Sequence, residues 1–195
     1  MFYGEPYTVS LQENMEPNIM VLAVNVSDGD FGDPNEIIMT LEKEKFGYFK
    51  LLKSGKGQAQ LVTTDKKIDR ENQEILDNGG YYTFYVKATE ALKNHTLGDS
   101  TLSAITIMVQ DIDDNVAEFN KPTFNLTIPE NLEKGTALPK LSIIVNDKDM
   151  SVNSRYNLTL SNVKNSDGVF EIFPQFGEGR TQVIVKVKDS SRLDY

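Results

Sequence analysis

Cysteine and tryptophan are absent from these 195 residues, histidine occurs once, and no run of about 18 apolar residues is present. Without cysteine there is no disulfide and no thiolate metal site. The compartment stays open, because a secreted domain with an adequate core can dispense with bridges. Without a long apolar run no helix of this chain spans a bilayer. The opening Met1-Phe2-Tyr3-Gly4-Glu5 lacks the charged and apolar regions of a signal peptide, so any anchor or leader is expected outside this segment. Basic residues are outnumbered, 20 against 29 acidic, and the net charge of −9 argues against a nucleic-acid partner while permitting metal cations.

Catalytic classes drop out next. A cysteine nucleophile is excluded, and a serine triad would depend on His95, in the polar loop Lys93-Asn94-His95-Thr96, where a solvated side chain is the expectation. Paired carboxylates can cleave glycosides, but acids as crowded as those below suit a metal better than a split acid and base, so no enzyme is expected.

What the chain does contain is a repeat. Phe2-x4-Tyr7-x-Val9-x-Leu11-x-Glu13-Asn14 recurs as Phe119-x4-Phe124-x-Leu126-x-Ile128-x-Glu130-Asn131, every member displaced by 117 positions. Apolar residues at 7, 9 and 11, and again at 124, 126 and 128, alternate as in a strand with one face inward. Asp28-Gly29-Asp30 matches Asp147-Lys148-Asp149, Gly47-Tyr48-Phe49 matches Gly168-Val169-Phe170, and Ile68-Asp69-Arg70 matches Leu193-Asp194-Tyr195. Further strand signals lie around Tyr82, Phe84 and Val86, then Ile105, Ile107 and Val109, before an acidic stretch at 111. Short β-rich segments between Gly, Asn and Asp turns, with no sustained helical period, predict an all-β fold of antiparallel sandwiches. The domains are expected at 1–115 and 116–195. The second is expected to be incomplete, because it stops at the point matching Asp69 to Glu71, before the counterparts of the last two strands of the first.

Acidic residues gather at strand ends: Glu13, Asp69 and Glu71 in the first repeat, Asp111, Asp113 and Asp114 between repeats, Asp147 and Asp149 in the second. Single Asp and Asn residues commonly mark turns. Eight carboxylates in one order across a repeat boundary would repel unless a cation joined them, and hard calcium ions accept six to eight oxygens at flexible geometry. A helical calcium loop fails, since counting from Asp28 or Asp147 puts no Gly at the sixth position and no Glu at the twelfth.

On Glu13-Asn14, Asp69-Arg70-Glu71, Asp111-Ile112-Asp113-Asp114-Asn115 and Asp147-x-Asp149, the sequence resembles the cadherin superfamily over nearly its whole length. The resemblance implies tandem Greek-key β-sandwich repeats with calcium at the linker. By motif position, the outermost ion would be held by Glu13, Asp69, Glu71 and Asp114. The middle ion would take Glu13, Glu71, Asp111, the Ile112 carbonyl, Asp114 and Asp149. A third would use Asp113, the Asn115 carbonyl, Asp147, Asp149 and the Asn153 carbonyl. Asp28 and Asp30 match an upper half-site facing a preceding repeat, and Glu130 and Asp194 a lower one facing a following repeat, as in a piece from the interior of a longer string.

Three positions depart from the family pattern. Asp113 stands for Asn, which keeps the oxygen and adds charge; Ala117 stands for Pro, which frees a backbone angle; Glu90 stands for Asp, which lengthens that arm.

The resemblance implies a calcium-dependent adhesion or receptor ectodomain on the extracellular side of the plasma membrane, with another cadherin or cell-surface protein as partner. A heterophilic receptor, such as the toxin-binding insect cadherins, and a calcium-dependent carbohydrate-binding sandwich are the alternatives. The absence of tryptophan rules out tryptophan-anchored strand exchange within this segment. Asn25, Asn94, Asn125 and Asn157 head Asn-x-Ser/Thr acceptors for N-glycans, usable only in the secretory pathway.

Overall fold

The computed structural model describes residues 1–27, 36–92, 96–161 and 168–193. Contacts divide the chain into two units, Met1–Asp111 and Ile112–Tyr195.

The first unit follows its alternation pattern closely. Among its described residues seven strands form: β1 (Tyr7–Gln12), β2 (Met20–Asn25), β3 (Glu36–Glu42), β4 (Phe49–Gly55), β5 (Gln58–Thr63), β6 (Tyr81–Ala91) and β7 (Leu97–Gln110). One sheet has the order β1-β7-β6-β3, the other β2-β5-β4. In β6, and in β7 from Ser103 onward, every second residue turns inward, so that Phe84, Val86, Ile105 and Ile107 have no exposed surface. The opposite sheet contributes Val24 and Leu61, equally sealed. Phe46, Tyr48, Phe49, Tyr82 and Phe84 pack ring to ring between the sheets, with centroids 5.3–6.5 Å apart, the offset and edge contacts that aromatic quadrupoles favour. One pairing runs against the antiparallel expectation: β1 lies parallel to β7, from Tyr7 opposite Ile105 to Gln12 opposite Gln110. Alternation encodes which face is buried and says nothing of strand direction.

The β4–β5 turn needs glycine at 57. Its φ is +61°, and a Cβ there would lie 2.3 Å from the Val26 carbonyl oxygen, in a close approach fixed by the Val26 amide, which donates to the Gly57 carbonyl at 2.8 Å. Between β5 and β6 sits a one-turn helix α1 (Gln73–Asp77), too short to produce a helical period in the sequence. It is held at its ends instead: the Asn72 side chain accepts from the Glu74 amide at 3.0 Å, and Gly79 follows at φ +68°.

The second unit has a smaller core of Val145, Leu158 and Val183, with Ala117, Ile143, Tyr156 and Ile172 against it. Its strands are β8 (Glu118–Phe119), β9 (Ile143–Asn146), β10 (Arg155–Asn157), β11 (Phe170–Phe173), β12 (Phe176–Glu178) and β13 (Arg180–Val187). They form a sheet of order β11-β13-β9-β8 and the pair β10-β12. Repeat-matched positions keep the same local conformation: Gly47 opens the approach to β4 at φ +74°, and Gly168 the approach to β11 at φ +79°.

The expected strand at 124–128 does not form a ladder, although Phe124, Leu126 and Ile128 are half-buried and Asn125 and Thr127 exposed, as the alternation requires. In the first unit the matching strand β1 draws its hydrogen bonds from β7. Among the described residues the second unit has no counterpart of β6 or β7, so this segment has the face of a strand without the partner.

Candidate metal centre

The first unit builds its acidic group at one end of the sandwich. Where β1 stops, the Glu13 amide donates to the Gln110 carbonyl at 3.0 Å, and Asn14, at φ +58°, turns the chain so that its amide reaches the Ile68 carbonyl at 3.0 Å. Glu13 is thereby buried, 3 % exposed, and its Oε2 accepts the Arg70 backbone amide at 2.7 Å. Asp69 Oδ1 accepts the Glu71 amide at 2.9 Å, which fixes the Asp-Arg-Glu turn. Carboxylate oxygens of Glu13, Asp69 and Glu71 lie within 4.8 Å of one another.

The crowding registers on Glu71. Burial, the charges of Glu13 and Asp111, a hydrogen bond with Asp111 and the charge of Asp69 together push its carboxyl up to about 8. Acids this close hold a proton among them in the absence of a cation, and a donor set of oxygens alone suits a hard divalent ion.

Arg70 stands between Asp69 and Glu71 in the motif. It is buried, and its backbone rather than its charge serves the site, through the bond to Glu13. Its guanidinium lies over Gly80 at φ +95°, where a Cβ would meet Nη2 at 2.7 Å. The Gly79-Gly80 pair after α1 is the sequence signal that marks this room.

In the second unit Asp147 and Asp149 leave the end of β9 and are buried, 7 % and 4 % exposed. The Asp149 amide donates to Asp147 Oδ1 at 3.1 Å. Asn115 donates to Asp149 twice, from its backbone amide at 3.2 Å and from Nδ2 at 2.6 Å, and Nδ2 also reaches Asp114 Oδ1 at 2.8 Å. Ile112 offers its carbonyl to the Asp114 amide at 3.1 Å. Asn153 lies in a short 3-10 turn, its amide donating to the Met150 carbonyl at 3.1 Å. Asp113 is exposed. Two buried aspartates two residues apart are thus held in place by backbone and amide donors.

Asp28, Asp30 and Asp194 of the outer half-sites, together with Asn94 and His95, lie outside the described residues. Glu130 is exposed in a turn, and Asn25, Asn125 and Asn157 are exposed.

This is the architecture of tandem β-sandwich repeats with acidic groups at the strand ends. No protein-family profile matches the chain. It is similar over its whole length to Cadherin-87A of Drosophila melanogaster, with 32 % identity over 198 residues, and to Cadherin-related family member 1a of Danio rerio, with 30 % over 200 residues. The chain spans only 9 % and 22 % of the length of these relatives. Among solved structures, the protocadherin GammaB4 extracellular domain matches 97 % of the chain at a TM-score of 0.70 and 23 % identity, the match taking in 27 % of that chain. Mouse cadherin-23 EC22-24 matches 97 % at 0.65 and 21 % identity, taking in 54 % of that chain. The chain belongs to the cadherin superfamily and has the β-sandwich fold of its repeats.

Proposed function

We propose that the chain is part of an extracellular adhesion or receptor ectodomain, not an enzyme, and that calcium bound around residues 111–115 stiffens the junction between its repeats. The observation that carries this reading is the Glu13, Asp69 and Glu71 group, whose carboxylate oxygens lie within 4.8 Å of one another and in which burial, together with the charges of Glu13, Asp111 and Asp69, raises Glu71 to about 8; a cation would relieve that crowding. The names of the relatives, cadherins and cadherin-related proteins, support the adhesive role. Glu13, Asp69, Glu71 and Asp114 would hold one ion. Glu13, Glu71, Asp111, the Ile112 carbonyl, Asp114 and Asp149 would hold a second, and Asp113, the Asn115 carbonyl, Asp147, Asp149 and the Asn153 carbonyl a third. Bound calcium supplies the positive charge that lets these carboxylates stay ionised side by side. The chain's own contribution is to present them already placed, Glu13 by the Arg70 amide and Asp149 by Asn115.

Affinity of about 10⁻⁴–10⁻³ M, as in other extracellular calcium modules, would make occupancy follow external calcium. The partner would be another cadherin or cell-surface protein, with the membrane reached through a segment elsewhere, and exposed Asn25, Asn125 and Asn157 would be open to glycosylation.

The test is a thermal melt. A tenfold excess of calcium over its dissociation constant is expected to stabilise the folded chain by about 1.4 kcal/mol per ion, and Asp114→Ala to abolish most of that gain. A melting temperature indifferent to calcium in the unmodified chain would sink the proposal.

A further inference from the structure

The acceptor at Asn157 differs from those at Asn25 and Asn125 in what faces it. Asn25 lies opposite Gln58 on β5, and Asn125 belongs to the segment without a ladder. Asn157 closes β10, and its direct partner across the antiparallel ladder is Phe176 of β12. Beside them the Leu158 amide donates to the Gln175 carbonyl at 2.9 Å. Bonded and non-bonded pairs alternate along such a ladder, so Asn157 and Phe176 occupy the non-bonded position, where opposite side chains come closest.

The preceding pair fixes the faces. Tyr156 packs its ring over Gly177, where a Cβ would meet it at 2.2 Å, and its hydroxyl reaches the Val145 and Gly179 carbonyls at 3.2 and 2.9 Å. Since successive residues point to opposite faces, Asn157 and Phe176 point outward together. Both are exposed, the phenyl ring to 72 %. Asn157 and Phe176 also border a hollow of about 460 Å³ lined by Leu158, Leu160, Phe170 and Ile172. Thr159, whose hydroxyl completes the acceptor, is exposed as well, while Leu158 between them is buried. The sugar that Asn157 would carry is the group tethered nearest to this exposed ring.

We propose that Asn157 carries an N-linked glycan whose first N-acetylglucosamine lies against Phe176, its C–H bonds on the ring face. In the transfer, Asn157 Nδ2 forms a bond to C1 of the sugar. The bond from C1 to the diphosphate of a lipid-linked oligosaccharide donor breaks, the diphosphate leaves with the electron pair, and the nitrogen loses one proton to a base of the transferring enzyme. Nothing is oxidised or reduced. This inference rests on the extracellular reading above, since the donor is met only in the secretory pathway.

The whole chain, secreted from a eukaryotic cell behind a leader sequence, is mapped by peptide mass spectrometry and then melted. Asn157 is expected to be occupied. Phe176→Ala is expected to lower the melting temperature by about 3 °C in the glycosylated chain and to leave it unchanged in a Thr159→Ala background, where Asn157 remains but accepts no sugar. Phe176→Leu, which keeps an apolar side chain without the flat ring, should show the same dependence on Thr159 if the alanine variant fails to fold. Asn157 bare overturns this inference and leaves the extracellular reading intact, since that reading stands or falls on the calcium melt. An effect of Phe176 that is the same in both backgrounds, zero included, overturns the stacking.

Discussion

Glu71 shows how one side chain reports the state of its surroundings. Its ordinary value is 4.5, and burial beside Glu13 and Asp111 raises it to about 8 in the folded chain. Between those values the folded state holds a proton that the unfolded state has released, so in the absence of calcium stability falls as pH rises from about 5 to about 8 and levels off above. Urea midpoints measured in chelator across that range should decline, and Glu71→Gln, which carries no proton to lose, should flatten the decline. With calcium the direction reverses, because proton and cation compete for the same oxygens and affinity should climb over the same interval. A midpoint in chelator that does not change with pH would show that the carboxylates do not crowd. At this scale the acidic positions were legible, because their spacing and order are properties of the sequence. The part played by Arg70 was not. A basic residue between two acids looks like a counter-charge, whereas its backbone amide is what fixes Glu13.

At the scale of elements, Gly80 couples the loop after α1 to the acidic end of the first unit. Its amide donates to the Ile75 carbonyl at 2.8 Å, its carbonyl accepts from Val109 at 2.9 Å, and the Arg70 guanidinium lies over it. Gly80→Ala would place a side chain at φ +95° and against a buried guanidinium, and should cost about 1–3 kcal/mol of stability. Because Arg70 carries the amide that holds Glu13, calcium affinity should fall in the same variant, measured by titration calorimetry. Normal stability would mean that Arg70 withdraws freely.

The strands β1, β6 and β7 could be read from alternation because each finds a ladder. The stretch 124–128 reads equally well and forms none, since a strand is a property of a pair and half of this pair is not among the described residues. The helix α1 was invisible for the opposite reason, being held by its two ends over five residues rather than by a repeating face.

At the scale of the molecule, the parallel pairing of the first and last strands of the first unit has a mechanical consequence. The chain enters that unit beside Tyr7, opposite Ile105, and leaves it beyond Gln110, opposite Gln12. A force drawn between those two ends runs along the strands, and every bond between β1 and β7 resists it in shear at the same moment. Handles placed at Met20 and Val62, neighbours in the antiparallel β2–β5 pair, would instead peel the bonds one after another. Single-molecule stretching should therefore record a markedly higher rupture force for end-to-end tension than for the peeling geometry. Equal forces would mean that this seam is not the clasp. A unit so threaded is expected to behave as a fastener loaded along its seam, firm when tension enters and leaves by its own two ends and easily opened when it is plucked from the side.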